Sequence, residues 1–225
     1  MNVLVTGSSK GIGKSVVDEL LKNNLINKVY ITSRNRDNLT VNSSKVIKVE
    51  LDFLKPNWNN EILKAIDQDP IHVLINNSGY LYNGSIKETS SEEIDKMVSI
   101  NYTGPYKLVQ SLLDNLINGK AHIINIGSMG GFQGSSKFPG LSLYSSSKAA
   151  LANLSECWAE ELKEYEIKSN CLALGAIDTE MLQNAFPGYK ATVSSSEIAV
   201  SIVDFALNYG RVMNGKVIPM SENTP

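Results

Sequence analysis

The segment Leu143-Tyr144-Ser145-Ser146-Ser147-Lys148 holds a phenol and an amine four residues apart. On a helix, positions i and i+4 share a face. A free phenol ionises near pH 10 and is a weak acid–base group at neutral pH. An ammonium at ~4 Å, in an effective dielectric of ~20, favours the phenolate by about 4 kcal/mol, or roughly three pKa units before screening. Tyr144 then approaches the pH at which general acid–base catalysis works best. The spacing alone also arises by chance, so its neighbours decide its meaning. Ser128 closes the apolar run Ile124-Asn125-Ile126-Gly127 and offers a hydroxyl to a carbonyl oxygen. Asn101 puts an amide into an otherwise apolar helical pattern. Such an amide is either satisfied within the core or marks a kink that holds an ordered water.

A second chemistry lies at the start of the chain. Thr6-Gly7-Ser8-Ser9-Lys10-Gly11-Ile12-Gly13 follows one strand-like run and opens a helix. Glycines there permit a tight turn, close approach to a pyrophosphate and close helix–strand packing. The helix N-terminus adds free N–H groups and a positive dipole end. A plain strand–helix turn is the competing reading, and the strand–turn–helix context favours phosphate. Ile12-Gly13-Lys14 lacks P-loop spacing, which argues against an ATPase. The second strand, Val29–Thr32, runs into Ser33-Arg34-Asn35-Arg36, with no acid before Asp37. NAD-binding strands of this kind end in an acid that holds the ribose 2′-hydroxyl. Arg34 instead suits a 2′-phosphate by charge and bidentate hydrogen bonds. Lys10 can approach the same phosphate, and Thr32 or Ser33 can add a hydroxyl. The expected cofactor is NADP(H) rather than NAD(H), against the plainer reading of Arg34 and Arg36 as solvated loop charges.

These groups need elements to position them. Seven short Val/Ile/Leu-rich runs read as strands buried on both faces: 2–6, 28–32, 46–51, 71–76, 121–126, 167–174 and 216–220. Helical patterns lie between them, near 12–23, 58–66, 91–116, 143–165 and 196–209. The alternation predicts a seven-stranded parallel sheet, doubly wound, with helices on both faces. Ligands of such α/β folds sit beyond the carboxyl ends of the strands, where the residues above fall. The 225 residues fit a single Rossmann-type domain over 1–225. A net charge of −2 gives no basic excess for nucleic acid or an anionic membrane surface. No apolar run reaches the ~18 residues of a membrane span. Cys157 and Cys171 with two histidines make neither a disulfide framework nor a metal site. The N-terminus MNVLVTGSS has no signal-peptide pattern, and the expected location is the cytoplasm. His72 and His122 sit in strand patterns and read as structural.

Taken in order, TGSSKGIG at 6–13, Leu51-Asp52, Asn76-Asn77-Ser78-Gly79, Asn101, Ser128, Tyr144 with Lys148, and LALGAIDTEM at 172–181 resemble the short-chain dehydrogenase/reductase family. The resemblance spans nearly the whole chain and is closest to the carbonyl-reducing branch of 3-oxoacyl carrier-protein reductases. It implies a nicotinamide-dependent oxidoreductase that moves a hydride between cofactor and a carbonyl or alcohol. Tyr144 is then the general acid or base. Lys148 lowers its pKa and holds the nicotinamide ribose, Ser128 polarises the carbonyl, and Asn101 supports a relay water. Gly7, Gly11 and Gly13, with Ile12 between them, wrap the pyrophosphate, and Ser9 touches the adenosine phosphate side. Lys10 and Arg34 select NADP(H), Asp52 bonds the adenine, and Asn77 and Gly79 line the cofactor ribose region. Gly175, Ile177 and Thr179 lie at the nicotinamide carboxamide.

Three departures from the family pattern stand out. Leu174-Gly175 replaces Pro-Gly, and loss of the fixed φ predicts a looser nicotinamide-side loop. The stretch between Ser128 and Tyr144 is longer and Gly/Ser-rich, which predicts an extended substrate loop with Phe132, Phe138 and Leu141 as candidate wall residues. The glycine-rich C-terminal tail is missing, which makes a tetramer less secure. A short lid is expected near 180–195, carrying Met181, Leu182, Phe186, Pro187 and Tyr189. The helix after Tyr144 carries an apolar stripe, Leu151, Leu154, Trp158 and Leu162, flanked by Ala149, Ala152 and Ala159. Its surplus face predicts a homodimer, with a tetramer as the larger possibility, against the reading of one wide core face. Two other classes compete with the enzyme: a nucleotide-binding regulator of the same fold without turnover, and a sugar-nucleotide epimerase or dehydratase, which the chain length disfavours.

Overall fold

The computed structural model describes residues 1–222. The last three positions of the span 1–225 lie outside the described residues. Chain order is β1 (Asn2–Val5), α1 (Gly11–Leu20), β2 (Lys28–Ser33), β3 (Val46–Glu50), α2 (Asn59–Ile66), β4 (Val73–Asn76), α3 (Ser91–Val98), α4 (Gly104–Ser111), α5 (Leu113–Gly119) and β5 (His122–Ser128). Then follow α6 (Ser142–Glu161), β6 (Lys168–Leu174), β7 (Ile177–Asp178), α7 (Glu180–Ala185), β8 (Val193–Ser194), α8 (Ser195–Asn208) and β9 (Lys216–Met220). Seven strands form one sheet in the order β3-β2-β1-β4-β5-β6-β9, every pair parallel. This is the doubly wound, seven-stranded architecture that the sequence pattern implies. β7 and β8 pair separately and flank α7, which falls within the segment expected as a lid.

The two-residue period of a strand divides the core. In β1, Val3 and Val5 join the layer under α1 and α8, with Val16, Leu20, Ile202 and Val203. Leu4, between them, points to the other layer with Leu108, Leu151, Trp158 and Leu162. The apolar stripe of α6 is therefore core. Burial on both faces explains why the strands do not alternate with polar residues. His122 is also structural. Its Nδ1 lies 2.9 Å from the Ala206 carbonyl and its Nε2 2.9 Å from the Asn170 amide nitrogen. Burial pushes its pKa down to about 4. His72 accepts a hydrogen bond from the Asn2 N–H at 3.1 Å.

The expected helix over 91–116 is broken, and proline is the reason. Pro105 lacks the N–H that a regular helix would give to the carbonyl of Asn101, and its ring crowds that carbonyl. The backbone widens into a π turn over Ser99–Thr103, where the Gly104 N–H reaches the Ser99 carbonyl. The side chain of Phe53 packs where a Cβ on Gly104 would lie. The bulge thus places Asn101 by covalent constraint, and π bulges frequently mark functional sites. Among the described residues no helix is long and apolar enough to cross a membrane.

Candidate active site

The glycine turn is pinned from inside. Ser8, buried, donates its hydroxyl to the Val5 carbonyl at 2.6 Å and its N–H to the Thr32 carbonyl at 2.8 Å. Thr32 accepts from the Gly7 N–H at 3.3 Å and is fully buried. This corrects one expectation: the Thr32 hydroxyl is committed to the turn and does not face a phosphate. Gly7 and Gly11 have φ of +66° and +54°, which favour glycine. A Cβ on Gly13 would overlap the Gly7 carbonyl and the Asn77 amide. The turn is therefore a cradle with bare backbone at the N-terminus of α1, and it fits a pyrophosphate.

Asn77 supports that cradle rather than merely facing it. Its amide nitrogen donates to the carbonyls of Thr6 and Gly7, both at 2.9 Å. Its role as a ribose contact, implied by the resemblance, therefore falls to its remaining surface, since the amide donor is already engaged. Lys10 is paired with Glu180 at 2.7 Å, both well exposed, so it links the turn to the lid. Exposed pairs are worth about 0–1 kcal/mol, so a bound phosphate can displace the carboxylate cheaply. Arg34 is exposed at the end of β2, and Asp52 accepts from the Leu54 N–H at 3.1 Å.

A cavity of about 880 Å³ runs along the carboxyl edge of the sheet. Each cofactor-binding position named from the sequence lines it, from Gly7 to Thr179. Of the four catalytic positions, Ser128, Tyr144 and Lys148 line it and Asn101 lies behind the wall, fully buried. Asn101 accepts from the Tyr80 N–H at 2.8 Å and donates to the Tyr80 carbonyl at 2.8 Å and to Ser147 Oγ at 2.9 Å. Its side chain is thus committed to bracing Tyr80 against α6. Pro105 removes the N–H that a regular helix would direct to the Asn101 main-chain carbonyl.

Tyr144 and Lys148 both sit in the first turns of α6, as their spacing implies. Their electrostatics differ from the expectation. Burial pushes the Tyr144 phenol up, and a hydrogen bond with the Ser128 side chain pulls it partly back. Lys148 is 4% exposed and donates to the Ile126 carbonyl at 2.9 Å. Burial lowers its amine to about 8. The ammonium is therefore held at the sheet edge by a strand carbonyl, and desolvation outweighs the anticipated lowering of the phenol. Ser128 Oγ also accepts from the Gly130 N–H at 3.1 Å, which fixes its orientation.

Three loops close the other end. Asn83 donates to the Ala185 carbonyl at 2.8 Å, joining the loop after β4 to the lid. The Gly84 N–H donates to the Gly140 carbonyl at 3.0 Å, joining it to the loop before α6. Thr179 caps α7 by accepting from the Leu182 N–H at 3.3 Å. Phe138 and Leu141 line the cavity, but Phe132 does not: its carbonyl accepts from Lys137 and Ser135 in a local turn. The sequence reading missed Tyr80 and Leu81, which line the wall directly after the Asn76–Gly79 turn. Their position immediately beyond a strand end is the signal that could have found them. The expected loosening at Leu174 is also corrected. Leu174 pairs with both Ser128 and Met220, is buried, and is followed by a hydrogen bond from the Gly175 N–H to the Met220 carbonyl at 2.9 Å. Strand pairing supplies the stiffness that proline would have given.

The family model of the short chain dehydrogenases matches residues 1–190. The chain belongs to that family. It is an NAD(P)-dependent dehydrogenase/reductase. An uncharacterized oxidoreductase of Staphylococcus saprophyticus is 26% identical over 211 residues, 89% of this chain and 88% of that protein. An NADPH-dependent aldehyde reductase-like chloroplastic protein of Arabidopsis thaliana is 28% identical, covering 97% of this chain and 92% of its own. The structure of ElxO with NADP bound superposes with a TM-score of 0.82 at 30% identity, over 98% of this chain and 96% of that one.

This short chain dehydrogenase carries a lysine whose burial is unfavourable. The unfolded chain holds the Lys148 proton more tightly between pH 8 and 10.5, so stability rises with pH across that window. Below pH 8 the full penalty applies, on the order of 3 kcal/mol. Lys148→Met is expected to need more urea for unfolding at pH 7 than the native chain, with the gap closing toward pH 10.5. Urea titrations at both pH values read this. A less stable variant at pH 7 would show that the hydrogen bond to Ile126 outweighs desolvation.

Proposed function

We propose that the chain is an NADP(H)-dependent carbonyl reductase or alcohol dehydrogenase with Tyr144 as its general acid and base. The convergence of the Ser128 and Tyr144 hydroxyl side chains on the cavity wall, where the serine draws the phenol's pKa down against burial, carries this reading. A carbonyl oxygen seated between these two hydroxyls receives a hydrogen bond from Ser128 and a proton from Tyr144. Burial keeps the phenol protonated at neutral pH, the form needed to donate. When bound, the nicotinamide supplies or accepts the hydride. Lys148, beneath the tyrosine, holds the ribose and returns a proton toward Tyr144. Asn101 positions Tyr80 and offers its main-chain carbonyl to a relay water. The glycine cradle holds the pyrophosphate, Asp52 the adenine, Asn77 and Gly79 the ribose side, and Gly175, Ile177 and Thr179 the carboxamide.

Arg34 and Lys10 support selection of NADP(H). Both line the cavity at its β1–β2 end, and Arg34 follows β2 where an NAD site would carry an acid. The NADP bound to ElxO and the NADPH in the Arabidopsis protein's name point the same way. Tyr144→Phe is expected to lower turnover by at least a thousandfold while NADPH still binds, read by the fluorescence of the reduced nicotinamide. Retained turnover removes Tyr144 from the acid role. Arg34→Glu is expected to weaken NADPH by tenfold or more and leave NADH nearly unchanged. Equal losses for both would show that Arg34 does not read the phosphate.

We also propose a homodimer through α6 and the α3–α4 segment. Ile94, Val98 and Tyr106 stay exposed on α3 and α4, and Ala149 is exposed on α6. Tyr106 lies against Trp158 of α6 at 6.1 Å between ring centroids, so the helices share a face. Light scattering at micromolar concentration is expected to read twice the chain mass, and the mass of a single chain would overturn the proposal.

A further inference from the structure

We propose that the substrate end of the cavity selects bulky, uncharged, apolar carbonyl compounds and discriminates against anionic ones; this rests on the reading of Tyr144 as proton donor. The observation is the distribution of charge along the cavity. Lys10 and Arg34 lie at the ends of β1 and β2, whereas Ser128 ends β5. In the strand order β2 lies three spacings from β5, about 14 Å, and β1 two spacings, about 10 Å. The third cation in the lining, Lys148, donates to the Ile126 carbonyl at 2.9 Å. On the α7 side of the lining the Glu180 charge is balanced by Lys10 at 2.7 Å, which leaves the Asp178 carboxylate, bonded by the Gln183 amide at 2.9 Å, as the net charge there.

Apolar and aromatic side chains from three segments line this end: Tyr80 and Leu81 after β4, Phe138 and Leu141 before α6, and Met181 and Phe186 in and after α7; the Tyr80 hydroxyl is turned to Glu93 at 2.7 Å. The nearest loop cation in sequence, Lys137, donates to the Phe132 carbonyl at 2.7 Å and to Ser135 Oγ at 2.8 Å, and it does not line the cavity. Phe138 and Met181 are 39% and 41% exposed, so a substrate that covers them removes apolar surface from water. The links Asn83–Ala185 and Gly84–Gly140 hold the three loops together, so the wall is largely formed in advance. A carboxylate brought to this end loses hydration and finds the nearby cations already engaged, Lys10 with Glu180 at 2.7 Å and Lys96 over the Tyr80 ring at 4.3 Å, with the Asp178 carboxylate beside it.

A matched pair tests this: 4′-methylacetophenone and 4′-carboxyacetophenone, similar in size and different in charge. Both are titrated into Tyr144→Phe loaded with NADPH, so binding is read without turnover, by calorimetry. The neutral ketone is expected to bind at least tenfold tighter. Phe138→Arg, at an exposed wall position, is expected to narrow that ratio at least tenfold. Equal or tighter binding of the carboxylate overturns the proposal, as does the absence of binding of both ketones at millimolar concentration. Turnover by the native chain is measured in parallel. Tight neutral binding without any reduction supports the wall chemistry and overturns the proton-donor reading, so the two failures are told apart.

Discussion

Four hydrogen bonds between Thr6-Gly7 and the Asn77–Ser78 corner hold the β1 and β4 ends together. Thr6 Oγ1 accepts from the N–H groups of Asn77 and Ser78, both at 3.0 Å, and the Asn77 amide reaches the Thr6 and Gly7 carbonyls. β1 and β4 are neighbours in the sheet, yet their outgoing chains part. One turns into α1 on one face, and the other runs on to helices of the opposite layer. That divergence makes the crevice of a doubly wound sheet. A crevice alone has no fixed floor. The Thr6–Asn77 knot sets one, because the glycine cradle and the loop carrying Tyr80 depart from the same clamped corner.

The polar groups at the other end are arranged by a similar economy of partners. Asn101 is placed by the π turn and by the missing N–H of Pro105, and it braces Tyr80 and Ser147 together. Lys148 sits against a strand carbonyl, in surroundings that oppose its charge. Core packing would never select a buried lysine, so its presence in the first turns of α6 is a constraint retained at the expense of stability. The buried polar chain behind it is largely satisfied: Asn76 donates to Asn125, which donates to Ser155, both at 2.8 Å. Such a network specifies the relation of β4, β5 and α6, and so the distance between Ser128 and Tyr144.

The strands were legible because Val, Ile and Leu runs of the right length have few alternatives once helices alternate with them. The glycine cradle was legible because Gly7 and Gly13 are required by backbone geometry that the turn itself dictates. What the sequence hid depends on partners distant in the chain. The pairing of Lys10 with Glu180 spans most of the molecule, and no local pattern encodes it. Thr32 looked available because its position beside the phosphate region is visible, whereas its bond from the Gly7 N–H is not. Pro105 was visible, but the helical periodicity around it masked the break. Leu174 read as a loosened turn because the proline rule is local, while the stiffness at that corner comes from neighbouring strands on both sides.

The cavity consequently has two ends with different recognition chemistry. At the β1–β3 end, backbone N–H groups and two cations suit phosphate, whose binding is strong and directional. At the β5–β7 end, apolar side chains dominate the walls, and the hydroxyls of Ser128 and Tyr144 lie among them, with Asp178 and Glu180 on the α7 side. Apolar walls contribute affinity in proportion to area covered and carry little directional information. Orientation must then come from the two hydroxyls, so a small shift of either alters chemistry more than binding. The motifs along the chain mark these hydroxyls and the phosphate cradle, and they are silent about the walls, whose residues come from loops of variable length. Family membership therefore supports nicotinamide-dependent redox chemistry, and it leaves the substrate to wall residues such as Tyr80, Leu81, Phe138, Leu141 and Phe186, which lie outside the motifs.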